Sequence, residues 1–149
     1  MSIVYRINPK IVDLLSNGHG HGDLTLQDIL LAIPDTPYKH FFIGWVMMNI
    51  PSNKECKSLL DFCLARYKKE RYHGFVKDSE FYTLKRLFDV AVEFEIKNEK
   101  PTVRKISDKI CESRSTYQRK YERIYKMFVS TIQSVIDENL TKTARILRG

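Results

Sequence analysis

From Tyr117 onward the apolar residues recur at Tyr121, Ile124, Tyr125, Phe128, Ile132, Val135 and Ile136, a helical spacing sustained for about six turns. A stripe of that length commits the chain to a long helix with one buried face. Side chains three and four apart stack on one side of an α-helix, whereas a strand alternates with period two. Elsewhere in the chain the β-branched residues also fall at helical spacing and never alternate over a strand length. The expected fold class is therefore all-α: a compact helical domain with a C-terminal helix-turn-helix.

Helix punctuation supports this along the N-terminal two thirds. Asn8-Pro9 offers a cap with Pro at the first helical position and leads into a short helix through Leu14 and Leu15. Gly18, Gly20 and Gly22 then open a flexible loop. Thr25 caps a helix in which Leu26, Ile29, Leu30 and Ile33 share a face before Pro34 ends it. Thr36-Pro37 begins another that runs to about Ile50. Its segment 41–48 is apolar almost all round and is predicted to be the central core helix, with Trp45, Met47 and Met48 as packing material.

Ser52 or Asn53 caps the next helix, with Cys56, Leu59, Leu60, Cys63, Leu64 and Tyr67 on one stripe and cations in its last turn. Asp78 begins a helix of about twenty residues. Phe81, Leu84, Phe88, Ala91, Val92 and Glu95 lie on one line with Leu87 and Phe94 beside them, and Pro101 closes it.

With 149 residues, 43% hydrophobic and 11% aromatic, the chain has material for one domain with a real core. No secretory signal follows the N-terminus, and the longest apolar run falls far short of a membrane span, so a soluble, cytoplasmic protein is expected. Cys56, Cys63 and Cys111 contain no Cys-x-x-Cys pair and read as buried, reduced thiols. His19 and His21 in the glycine loop lack a fixed third ligand, so no metal or other cofactor is expected. Asp89, Glu93 and Glu95 have no nearby His and read as surface charge. Neither a phosphate-binding glycine loop nor a Ser/His/Asp arrangement is visible, and no enzyme is expected.

The charge is lopsided. Residues 102–149 hold eleven Lys and Arg against five Asp and Glu, a balance of +6 within a total of +7. Such asymmetry marks a surface for a polyanion, because each neutralised phosphate releases condensed counterions. Double-stranded DNA is the expected partner. Val103, Ile106 and Ile110 form the inner face of a first short helix, with Ser107 small enough for close approach. A break at Cys111-Glu112 follows, and Ser113 or Ser115 caps a second helix. A recognition helix sets its N-terminal side chains against base edges while flanking cations hold phosphates. Thr116, Gln118 and Arg119 are the base-reading candidates. Arg104, Lys105, Ser113, Arg114, Ser115, Lys120 and Arg123 are the phosphate-binding candidates. Two features depart from the usual motif: Cys111 stands where Gly is common, and Glu112 where an apolar residue is common. Residues 1–100 are read as a helical scaffold and protein-contact body. Residues 101–149 are read as the DNA-binding segment with a basic tail, the whole forming one cooperative unit.

The run Thr116-Tyr117-Gln118-Arg119, followed by Ile124-Tyr125 and Phe128-Val129, resembles the C-terminal segment of the Q antitermination proteins of lambda-like bacteriophages. Those have a similar Thr-Trp-x-Arg, then Leu-Tyr and Leu-Val. Upstream, Asp23-Leu24-Thr25 with Asp28-Ile29-Leu30, the Gly44-centred apolar helix, and Tyr72-His73-Gly74-Phe75 follow the same order of elements. The resemblance implies a phage protein acting in the host cytoplasm. It would bind a DNA element at a late promoter and engage paused RNA polymerase holoenzyme through the sigma factor and the β flap, so that transcription passes terminators. The family's Cys-rich zinc-binding insertion has no counterpart here, since residues 95–101 run straight into the cationic segment. Zinc is not implied. Two other readings stay open: a helix-turn-helix repressor acting by promoter occupancy as a dimer, and a non-enzymatic inhibitor of a host nucleic-acid machine.

Overall fold

Asn8 shows how the first helices are tied together. Its backbone N–H donates to the carbonyl of Val46 at 2.8 Å and its side-chain amide to that of Trp45 at 3.2 Å. Both carbonyls lie in the last turn of a helix, where regular intrahelical donors run out; that of Trp45 also takes the Met48 N–H at 3.3 Å, and the fully buried Asn supplies the further donors. The side-chain oxygen of Asn8 accepts the N–H of Lys10, capping residues 9–11.

The computed structural model describes residues 7–11, 25–70 and 78–149, and among these there is no strand. The Gly-rich loop with His19 and His21, the later part of the first predicted helix and the Tyr72–Phe75 stretch lie outside the described residues. The helices are α1 (Leu26–Ala32), α2 (Lys39–Val46), α3 (Lys57–Glu70), α4 (Asp78–Lys97) and α5 (Val103–Lys109). A second cationic-segment helix then begins as α6 (Arg114–Thr116), passes through a π-helical turn (Tyr117–Tyr121) and continues as α7 (Glu122–Arg148).

Local chemistry explains the helix limits. Thr25 and Asp28 form a reciprocal capping box at the start of α1. Ser52 and Glu55 exchange the same pair of bonds in the turn before α3, and the Ser52 N–H holds the Glu55 carboxyl below its usual pKa. At the C-termini, α2, α4 and α5 end in the same six-residue wrap: Asn49 N–H reaches the carbonyl of Gly44, Glu99 that of Phe94 and Glu112 that of Ser107. The residue before each of these donors is left-handed, with φ of +53° at Met48, +56° at Asn98 and +59° at Cys111. This stops α2 at Val46, short of the expected Ile50. Gly44 is required there, because a Cβ would lie 2.7 Å from the Asn49 carbonyl oxygen and from Pro51 Cγ.

The chain forms two compact units, one comprising Met1–Cys56 with Ser134–Gly149, the other Lys57–Gln133. The boundary expected between residues 100 and 101 falls inside the second unit. In the first unit Ile29, Phe41, Phe42, Trp45, Val46, Val135, Ile136 and Ala144 are buried, and Phe42 stacks on Trp45 with ring centroids 5.6 Å apart. Thr36 Oγ1 donates to Asn139 Oδ1, joining the approach to α2 with α7. Thr143 and Ala144 are buried, so the C-terminal tail is a docked part of α7.

In the second unit, Leu59, Cys63 and Tyr67 of α3 are buried with Ile106 and Ile110 of α5 and Tyr117, Tyr121, Tyr125, Phe128 and Ile132 of the long helix. Phe88 meets Phe128 edge to face at 6.5 Å. α4 buries Leu84, Leu87, Phe88, Val90, Ala91, Val92, Phe94 and Ile96 and is the core helix of this unit, as α2, with Phe41, Phe42, Gly44, Trp45 and Val46 buried, is of the first. Phe81, expected on its inner line, is 40% exposed at the first turn. The thiols split: Cys56 and Cys63 are buried as expected, with burial pushing the Cys63 thiol up to about 12. Cys111 is exposed instead, because the left-handed turn after α5 turns it away from the stripe formed by Ile106 and Ile110.

Candidate nucleic-acid interface

The cationic segment is built as two helices joined by residues 110–113. Thr102 starts α5 by accepting the N–H of Lys105 at 3.2 Å. Cys111 then supplies the left-handed residue that Gly would supply at least strain, and Ser113 begins the next helix by accepting the N–H of Thr116 at 3.2 Å. Ser107 is 1% exposed, as its small size led one to expect.

Inside the second helix the backbone widens into a π turn, in which the Glu122 N–H bonds to the Tyr117 carbonyl five residues back. Tyr117, Tyr121 and Tyr125, each four residues on from the last, all face inward across this turn. Tyr117 and Tyr125 meet edge to face at 6.4 Å. Burial, with Glu122 nearby, raises the Tyr117 phenol, and burial together with Glu95 pushes Tyr125 up to about 12, so both stay neutral packing groups.

The inward tyrosines leave the intervening polar side chains outside. Gln118, Arg119, Lys120 and Arg123 are exposed, as are Arg104 and Lys105 on α5 and Arg114 and Ser115 on α6. Thr116 is half-buried, and its hydroxyl oxygen accepts from Ser113 Oγ at 2.9 Å, which ties both residues to the helix cap.

Arg119, Lys120 and Arg123 come together along one groove of about 550 Å³, whose walls also include Lys126, Met127 and Ser130 of the same helix and Arg66, Tyr67 and Glu70 of α3. Glu80 and Leu84 of α4 complete it. Arg104, Lys105, Arg114, Thr116 and Gln118 stand outside the groove. Arg66 and Lys126 were absent from the sequence-predicted set. For Lys126 the signal was present, since 119, 123, 126 and 130 are spaced as one helical stripe. Arg66 sits 53 positions before Arg119, and only the packing of α3 brings them to one groove.

Charge in the groove is unevenly matched. Arg66 pairs with Glu70 and Lys126 with Glu122, each four residues apart on its own helix. Lys120 lies over the Tyr121 ring at 5.5 Å. Among the described residues Arg119 and Arg123 make no ion pair, and their guanidinium groups remain available to an anion. On the other side of the unit, Glu93 holds both Lys97 at 2.8 Å and Lys109 at 3.0 Å, which keeps its carboxyl below the usual range. Glu95 accepts from Gln133. Glu93 and Glu95 of α4 are thus engaged by neighbouring side chains.

Among the described residues no cluster of three His, Cys, Asp or Glu gathers as a metal site, and no helix is long and apolar enough to cross a membrane. No protein-family model, curated protein or solved structure matches this chain.

Proposed function

We propose that this protein is a non-enzymatic regulator of transcription that binds double-stranded DNA with the first turns of its second cationic helix, α5 and the turn after it acting as the leading half of a helix-turn-helix. The supporting observation is the division of the π turn: its tyrosines are buried while Gln118, Arg119 and Lys120 between them are exposed, with Arg123 one turn on. A helix end that is rigid on one side and cationic on the other suits entry into a major groove. Gln118, outside the groove, is the base-reading side chain, with a terminal amide suited to adenine. Arg119 shares its wall with Lys120 and Arg123 and goes with the phosphate-binding set, joined by Arg104, Lys105 and Arg114 on the exposed flank.

The mode of regulation we propose is antitermination by contact with bacterial RNA polymerase holoenzyme, which rests on the resemblance carried by residues 116–129. DNA binding near a promoter raises the local concentration of weak polymerase contacts, so that neither contact need be strong. The test has two stages. Selection from a random duplex library should enrich one sequence, and run-off transcription from a promoter carrying it should then read through a downstream terminator when the protein is present. No enrichment sinks the DNA-binding reading. Enrichment followed by blocked initiation sinks antitermination and leaves a repressor.

A further inference from the structure

We propose that the groove formed by α3, α4 and the second helix carries the phosphodiester backbone of one DNA strand, with Arg66 of α3 as its preset anchor; this rests on the duplex-binding reading above and gives the bound DNA a path along the protein. Five cations line the groove, Arg66, Arg119, Lys120, Arg123 and Lys126, against two carboxylates, Glu70 and Glu80. Each phosphate replaced at such a surface releases counterions, which favours a polyanion over a single charged group.

Geometry fits a strand. Arg119, Arg123 and Lys126 follow one helical stripe, and at 1.5 Å per residue the stripe spans about 10 Å, enough to meet more than one phosphate of a strand. Arg66 faces them from α3 with its guanidinium already fixed. Nε donates to Glu70 at 3.1 Å and Nη1 to Thr131 at 2.8 Å, which uses two of its five N–H groups and removes the cost of ordering the side chain when an anion arrives. In the floor Tyr67 and Tyr121 are each 5% exposed and Leu84 is 1% exposed, while Ile124 and Met127 of the long helix keep part of their apolar surface open. Five cations against two carboxylates favour a backbone of charges as the occupant.

The experiment measures affinity of the full-length protein for a non-selected duplex against salt concentration, for the wild type, Arg66→Gln, Lys126→Gln and Ser130→Glu. Each Gln variant should flatten the slope of log K against log salt by about 0.9, the share of one phosphate contact, and Ser130→Glu should weaken binding at low salt. Lys126→Gln guards against a folding defect in Arg66→Gln, since Lys126 is an exposed side chain paired only along its own helix. Wild-type slopes in both Gln variants, with flattened slopes in Arg104→Gln or Arg114→Gln, would overturn the groove path and leave duplex binding standing. Absence of salt-dependent duplex binding by the wild type would overturn both.

Discussion

Arg66 donates from Nη1 to the hydroxyl of the buried Thr131 across 2.8 Å, joining α3 to the long helix through a cation that is itself partly exposed. The Thr131 hydroxyl spends its own proton on the Met127 carbonyl at 2.9 Å, so its lone pair is the acceptor and the guanidinium has one place to sit. A cation held this way reaches an anion with little entropy left to lose.

Replacing Thr131 by Val keeps the shape and removes the acceptor. Thr131→Val should lower unfolding free energy by about 1 kcal/mol, the net value of such a bond at a partly exposed charge. Duplex affinity should fall by roughly threefold to tenfold, the cost of ordering one freed side chain, with the salt slope unchanged because no charge is lost. Urea unfolding and a salt titration of DNA binding measure the two effects separately.

Cys111 stands in a left-handed conformation that costs an L-residue about 1–2 kcal/mol and costs Gly almost none, and it is exposed. Cys111→Gly should raise stability by about 0.5–1 kcal/mol after the extra entropy of Gly in the unfolded chain is counted. Cys111→Val should lower it, since a β-branched residue tolerates that φ worst. Shifted urea midpoints with unchanged slopes would record both.

Glu93 gives the fold an acid-sensitive joint between α4 and α5. Hydrogen bonding by Lys97, then by Lys109, holds its carboxyl below the ordinary value of 4.5, so its contribution is complete above that value and disappears as pH falls through the lowered one. Glu93→Gln should therefore be less stable than the wild type near neutral pH, and the difference should close as the solution is taken below about pH 4. Thermal unfolding of the two proteins across pH 3 to 7 measures the closing gap.

Most of the helical scaffold could be read from the chain because its signals are local. Thr25 with Asp28, Ser52 with Glu55 and Thr102 act on neighbours within three residues, and the stripe from Tyr117 to Ile136 states its own period. What escaped depends on contacts between distant segments. Propensity gives no warning that Met48 and Cys111 turn left-handed, since both accept strain that packing imposes. Arg119 follows Gln118 in sequence, yet Arg119 lines the groove and Gln118 does not, a division that neighbouring positions alone do not reveal. The whole groove depends on Arg66, whose place opposite Arg119 is set by packing between α3 and the long helix.

The most direct measurement of whether the exposed start of the second helix reads DNA compares the wild type with Gln118→Ala on the selected duplex and on a scrambled one. Base reading by Gln118 requires the ratio of the two affinities to fall by roughly tenfold, within the 1–3 kcal/mol of a bidentate base contact, while binding to the scrambled duplex and its salt slope stay at wild-type values. An unchanged ratio in Gln118→Ala, or a wild type that does not prefer its selected duplex, contradicts it.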